Sequence, residues 1–296
     1  MNNDRIQEIL DLMEEARLDY FLISDPQSIA YCTGYYNDPH ERMFVFMISK
    51  HGNHTLFMND LFYLEHDLDV NIVWHKDGQD AIQTIVDEMH FPGRIGIDKN
   101  WASHFLLDLM KKLPDAKYIN ASPCVDLVRM KKDLQEQVLM IESSKINDAV
   151  MEEIIPFIQE GVTEKQLAKK LDELFFNHHS TCYGAIVAFG KNAADPHHEN
   201  DDTPLRKGDC VLIDMGCVYK GYCSDMTRTF FYEGILEEEI KVYEIVKKAN
   251  EAAEAMIKPG VKLSDIDKCA RKVISDEGYG KYFTHRFRTF YWSRCS

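Results

Sequence analysis

Asp214 and Asp225 lie eleven residues apart in the segment Asp209 to Phe231, DCVLIDMGCVYKGYCSDMTRTFF. Val211–Ile213 reads as an apolar strand that suddenly holds Asp214, and Asp225 falls on a second strand. A two-residue turn at Tyr219-Lys220 pairs Val218 with Gly221 and, counting back, Asp214 with Asp225. The two Cβ atoms then stand about 5 Å apart on one sheet face. A slip of one residue keeps the carboxylates within reach but not directly opposite. Facing carboxylates repel, and burying either costs on the order of several kcal/mol unless a cation compensates. A divalent cation held by both removes that cost, and two cations about 3.5–4 Å apart can share such a pair. Thr227 and Thr229 fall on the Asp225 face and are placed to orient a ligand. The plainer alternative is one aspartate capping a turn and the other facing solvent.

His197 and His198 follow Pro196 in AFGKNAADPHHEND, a loop pattern. A loop histidine can carry a proton or donate to a developing oxyanion, or it can simply be solvated. His285, in YFTHR, reads by itself more readily as structural. The histidines at 40, 51, 54, 66, 75, 90 and 104 carry no assigned role. The eight cysteines contain no C-x-x-C pair and read as reduced, mostly buried thiols. A zinc knuckle at Cys210, Cys217 and Cys223 is disfavoured, because structural zinc sites use paired close spacings.

These residues need a scaffold. A chain of 296 residues is long for one core and predicts two domains. Residues 1–130 alternate strand and helix signals and read as an α/β domain with a mixed sheet. Tyr20–Ser24, Met43–Ser49, Thr55–Met58, Ile72–His75 and Ile95–Asp98 are its strands, the second and third forming a hairpin across Lys50–His54. Helical stretches cover about Ala81–Met89 and His104–Leu113. A long helix from Asp133 opens a second, α+β domain over residues 131–296. Inside it GVTEKQLAKKLDELF from Gly161 and GVKLSDIDKCARKVI from Gly260 share apolar positions. Each starts with a capping pattern, Thr163 with Gln166 and Ser264 with Asp267. The net charge of −15 repels phosphate and argues against nucleic acid. A mean hydropathy of −0.35 without a long apolar run argues against a membrane span. The charged N-terminus is no signal peptide, which points to a cytoplasmic location.

Several of these segments together resemble the creatinase/aminopeptidase ("pita-bread") metallopeptidases, most of all the Xaa-Pro dipeptidases and aminopeptidases. They are I-D-x-G with Asp225 eleven residues on in D-M-T-R-T, IVAFGKNAADPHHE, YFTHR as the start of H-R-x-G-H-x-I-G, SIAYCTGYY, and VRMKKDLQEQVLMIESSKINDA. The resemblance implies a creatinase-like α/β N-terminal domain, a pita-bread C-terminal domain and a homodimer. It implies two divalent metal ions, manganese or cobalt in the usual case and zinc or iron in others. It matches Asp214 and Asp225 to two of five metal ligands, Asp225 bridging, and His197 and His285 to histidines beside the substrate. The implied reaction is hydrolysis of Xaa-Pro dipeptides or short peptides. The alternatives are a peptidase-like binding module without activity and a metal-free creatinase-type amidinohydrolase; paired aspartates argue against the latter. NHHSTCYG, Asn177–Gly184, departs from the family's glycine-rich approach to the I-V-x-F-G strand.

The tail FRTFYWSRCS departs further, since the remaining His and both Glu ligands do not appear. One permitted coding for Phe287–Cys295 is TTT AGG ACA TTT TAT TGG TCA AGA TGT. Without its first T it reads Leu-Gly-His-Phe-Ile-Gly-Gln-Asp, restoring G-H-x-I-G in place. The Trp292 codon must become glycine when shifted by one base. The expectation is a frameshifted, truncated and inactive product.

Overall fold

The computed structural model describes residues 1–90 and 92–284. Two compact units divide the chain, Met1–Lys132 and Asp133–Ser296.

In the first unit the order is α1 (Asn3–Glu15), β1 (Tyr20–Ile23), α2 (Pro26–Thr33), β2 (Val45–Ser49), β3 (Thr55–Asn59), β4 (Asn71–His75), α3 (Ala81–Asp87), β5 (Arg94–Ile97), α4 (Ser103–Lys112), β6 (Lys117–Asn120) and α5 (Ser122–Met130). The strands form one mixed sheet, β4-β3-β2-β1-β5-β6. β1–β2 and β2–β3 are antiparallel; the remaining pairs are parallel. The three central strands are buried along their whole length, so their sequences run apolar without a break. The period of two then divides them between two cores. Phe21, Ile23, Phe46, Ile48, Leu56 and Met58 pack on one face with α1 and α5 residues. Tyr20, Leu22, Val45, Met47 and Phe57 pack on the other with Ile82, Ile85 and Leu109. The β2–β3 hairpin forms where the turn residues predict it, with Gly52 and Asn53 both at positive φ.

In the second unit α6 (Leu134–Ile154) starts with a full capping box at Asp133 and ends in a 3₁₀ turn, Ile155–Phe157, at Pro156. There follow α7 (Glu164–Asn177), β7 (Thr181–Cys182), β8 (Ile186–Phe189), β9 (Cys210–Met215), β10 (Cys217–Tyr219), β11 (Tyr222–Cys223), β12 (Met226–Phe231), α8 (Glu237–Glu254) and α9 (Leu263–Asp276). Two three-stranded antiparallel sheets result, β12-β9-β8 and β11-β10-β7. Val187, Phe189, Val211, Ile213 and Met215 form the core under the first sheet with Leu167, Leu171 and Phe175 of α7.

The two glycine-led segments differ in their caps. Thr163 and Gln166 form the predicted box. Ser264 does not cap: α9 begins at Leu263 after Lys262, with no side-chain cap bond. The serine falls inside the first turn, past the position where its hydroxyl could reach the free N–H groups. Among the described residues, seven cysteines are free thiols. Cys210, Cys217 and Cys223 form no metal-type cluster there. No helix among the described residues is long and apolar enough to cross a membrane.

Candidate active site

Asp214 and Asp225 lie on the hairpin formed by β9–β10 and β11–β12. Its turn is not the expected Tyr219-Lys220. Tyr219 pairs with Tyr222, so the turn is Lys220-Gly221, with φ of 47° and 87°. A two-residue turn of this kind needs positive φ at both central residues, and glycine meets that need at the second. Moving the turn by one residue shifts the pairing by two: Asp214 stands opposite Thr227, not Asp225. Continuing the register places Asp225 opposite Gly216. Asp225 itself lies just before β12, outside the paired strands; a shift of two keeps parity, so the continued register would put both aspartates on one face, at diagonal positions whose Cβ atoms are about 7–8 Å apart or somewhat less. That spacing lets two carboxylates converge on a cation without direct opposition.

Thr227, across the ladder, donates its hydroxyl to Asp214 Oδ1 at 2.6 Å. One carboxylate oxygen is thereby oriented, and the other is left to a further partner. Asp214 is half-buried and Asp225 exposed.

Gly216 marks the joint between the two sheets. A Cβ there would lie 2.1 Å from Tyr183 Oη and 2.2 Å from the Ser224 carbonyl oxygen. The hydroxyl of Tyr183 donates to that carbonyl at 2.5 Å. The glycine of I-D-x-G therefore admits a hydrogen bond that pins the residue just before Asp225. Ser224 is held again by its Oγ, which accepts from the Cys217 backbone N–H at 3.2 Å, and by its own N–H to the Cys217 carbonyl at 3.0 Å.

His197 projects from the loop that leaves β8 and is exposed; its backbone N–H donates to Asp195 Oδ1 at 3.0 Å. β8 is tied to the aspartate strand, with Ile186 opposite Asp214 and Phe189 opposite Val211. Asn200 fastens the far side of the loop to β8: its Oδ1 accepts from Val187 N–H and its Nδ2 donates to the Ala185 carbonyl, both at 2.7 Å. His285 lies outside the described residues.

Glu164, which carried no role in the sequence, stands at the base of this loop. It is fully buried at the first position of α7. Its Oε1 accepts from Phe189 N–H and Asn192 Nδ2, both at 2.9 Å, and its Oε2 from His198 Nε2 at 2.6 Å and Asp201 N–H at 3.1 Å. Following Thr163, it reads in sequence as an ordinary first-turn acid that favours a helix N-terminus. The Thr203 hydroxyl and backbone N–H lower the Asp201 carboxyl below its usual range, outweighing the small effect of burial.

Glu164, His198 and Asp201 bring three metal-type ligand atoms within 4.8 Å of one another. The hydrogen bonds argue against a metal there. A carboxylate offers about four lone-pair sites, and four N–H donors already fill those of Glu164. His198 already spends its Nε2 on the bond to Glu164.

Residues 138–290 match the model of metallopeptidase family M24, and residues 5–131 that of the creatinase/prolidase N-terminal domain. The chain belongs to metallopeptidase family M24, with a creatinase-type α/β domain preceding the pita-bread domain. An uncharacterized peptidase of Staphylococcus aureus is 31% identical over 291 residues, 95% of this chain and 81% of the relative. A prolidase from Thermococcus sibiricus superposes with a TM-score of 0.89 at 30% identity, over 96% of this chain and 80% of the prolidase. A Xaa-Pro dipeptidase from Bacillus anthracis does so with a TM-score of 0.85 at 26% identity, again over 96% and 80%.

Proposed function

We propose that this site serves the metal-dependent hydrolysis of Xaa-Pro dipeptides or short peptides. The observation that carries the reading is Asp214 on β9, already oriented by the Thr227 hydroxyl across the ladder, with Asp225 two residues before that threonine in the same hairpin. The prolidase and Xaa-Pro dipeptidase neighbours support the substrate class.

Asp214 and Asp225 are the residues that would hold divalent ions. The fit rests on their place in one hairpin, on hard oxygen donors suited to manganese or cobalt, and on an Asp214 oxygen left for a cation. When bound, such ions supply a water acidic enough to ionise near neutrality and polarise a carbonyl. The remaining steps belong to the chain. Thr227 fixes the Asp214 carboxylate, and the Tyr183–Ser224 bond fixes the backbone before Asp225. His197, on its exposed loop, donates to the oxygen of the scissile carbonyl as charge develops there. His285 is assigned to the substrate side by resemblance. The acidic composition and the family resemblance suit a cytoplasmic homodimer.

By resemblance, Asp214 and Asp225 match two of the family's five ligands. The test is to sequence the gene across the Arg286 codon and express any frame that continues as G-H-x-I-G. With added manganese or cobalt that product is expected to cleave Xaa-Pro dipeptides, and Asp225→Asn to abolish cleavage, because a neutral amide would replace an anionic ligand with a weaker one. Creatine hydrolysis without metal would overturn the reading. Tight peptide binding without cleavage by the metal-loaded product would favour a binding module instead.

A further inference from the structure

We propose that Glu164 is a positioning residue for the His197 loop: one buried carboxylate that locks α7, the end of β8 and the loop 190–201 into a single arrangement. The inference rests on reading His197 as the substrate-side histidine.

A carboxylate inside a protein is costly unless hydrogen bonds replace its water. Glu164 is fully buried, and its four bonds come from separate parts of the chain: the last residue of β8, the turn at Asn192, the ring of His198 and the backbone of Asp201. Two of these, His198 and Asp201, lie just beyond His197, and Asn192 lies just before it. The histidine therefore projects from a short arc whose two ends are gathered on one carboxylate. Further bonds close the same arc. Asn192 Nδ2 also reaches Thr203 Oγ1 at 3.3 Å, and Asp201 Oδ1 accepts from Thr203 N–H at 2.7 Å. Helix α7 anchors the hub, since Thr163 caps it and Leu167, Leu171 and Phe175 bury it against the sheet. A histidine that steadies charge must be held to within about half an ångström of its productive position. The loop alone has too little apolar packing to provide that. Its exposed residues Lys191, Ala194, Asp195, Pro196, His197 and Glu199 contribute no core, so polar anchoring takes its place.

Glu164→Gln tests this with almost no change of volume. The amide turns one acceptor oxygen into a donor, so either His198 and Asp201 or Phe189 and Asn192 meet a donor they cannot bond to. In the 296-residue chain, backbone amide exchange by NMR is expected to accelerate about tenfold or more at the amides bonded to that half of the carboxylate. The amides of β9 and β12 are expected to hold their rates. Nitrogen-15 spectra of the His198 ring give a signature that packing alone would not move. The bond to the Glu164 carboxylate requires a proton on Nε2 in wild type; where the new amide faces the ring, that proton is expected to move to Nδ1. His198→Ala provides the second variant. It leaves three of the four bonds, and is expected to accelerate exchange at Asp201 while sparing Phe189. Unchanged exchange in both variants would overturn the proposal. So would loss of protection across the whole domain in Glu164→Gln together with an unmoved Asp201 amide in His198→Ala. These readouts need no turnover. If His197→Ala leaves the metal-loaded enzyme fully active, the functional reading fails while the anchoring result stands. If both hold, Glu164→Gln lowers kcat more than it raises KM.

Discussion

At the scale of single residues, the aspartate pair depends on neighbours that bear no charge. Gly216 has no room for a methyl group: the nearest atoms to a Cβ are a tyrosine hydroxyl and a backbone carbonyl, both under 2.5 Å. We expect Gly216→Ala to destabilise the second unit by roughly 1–3 kcal/mol through overpacking. The Tyr183–Ser224 bond should break with it and displace Asp225; thermal unfolding and the Tyr183 ring signals check this. Thr227→Val should keep the strand and lose only the bond to Asp214. About 1.5–3 kcal/mol is typical for a hydrogen bond to a charged group, but the exposed threonine reduces this to about 1 kcal/mol or less. The clearer readout is a freed Asp214 carboxylate in carbon-13 spectra. Burial also fixes the thiols. It raises Cys32 to about 12 and Cys182 to about 11. Neither should react with iodoacetamide at pH 8 in the folded protein, and mass spectrometry after labelling decides it.

At the scale of elements, local chemistry was legible wherever one residue type has one strong preference. The β2–β3 hairpin follows its Gly52-Asn53 turn, and α7 starts at the Thr163 box. The aspartate hairpin shows the limit. Both turn choices fit the apolar pattern, and only the positive φ required at two successive residues selects Lys220-Gly221. The shift in register was even, which keeps the parity of the expected pairing; an odd shift would have reversed it. Gly221→Ala should therefore test the element directly. A side chain at φ 87° is strained, so the hairpin is expected to lose roughly 1 kcal/mol or more. β6 escaped notice because Lys117–Asn120 has only two apolar residues and is defined by pairing with β5. Glu164 was invisible for a similar reason: its four donors are gathered only by tertiary structure.

At the scale of the whole molecule, the α/β character of the first domain was legible because its central strands run apolar between helical segments, the pattern of a sheet covered on both faces. The family follows from motifs spread along the chain, not from any one of them. The charge balance gives a further expectation at this scale. Hydrogen bonds from Arg42 and Asn59 lower the carboxyl of Asp77, and Lys112 lowers that of Asp80. For Asp19 burial acts upward, but bonds from Lys50, Arg94 and Gly93 together outweigh it and lower it too. A depressed carboxyl contributes stability that is fully present above its unfolded value, near 3.9, and is lost as pH falls through the folded value. The first unit should therefore hold its melting temperature from neutrality down to about pH 4–5 and lose it progressively below that. A melting series by circular dichroism measures this, and a flat profile below pH 4 would count against the role of these carboxylates.

The central claim is that Asp214 and Asp225, not the more obvious cluster of Glu164, His198 and Asp201, hold the divalent cation. Manganese is paramagnetic, and substoichiometric amounts broaden the amide signals nearest to where it binds. Titrated into the chain, it is expected to erase the signals of Asp214, Asp225 and Thr227 first, and to spare them in Asp225→Asn. Broadening centred on His198 and Asp201, unchanged by that substitution, would contradict the account.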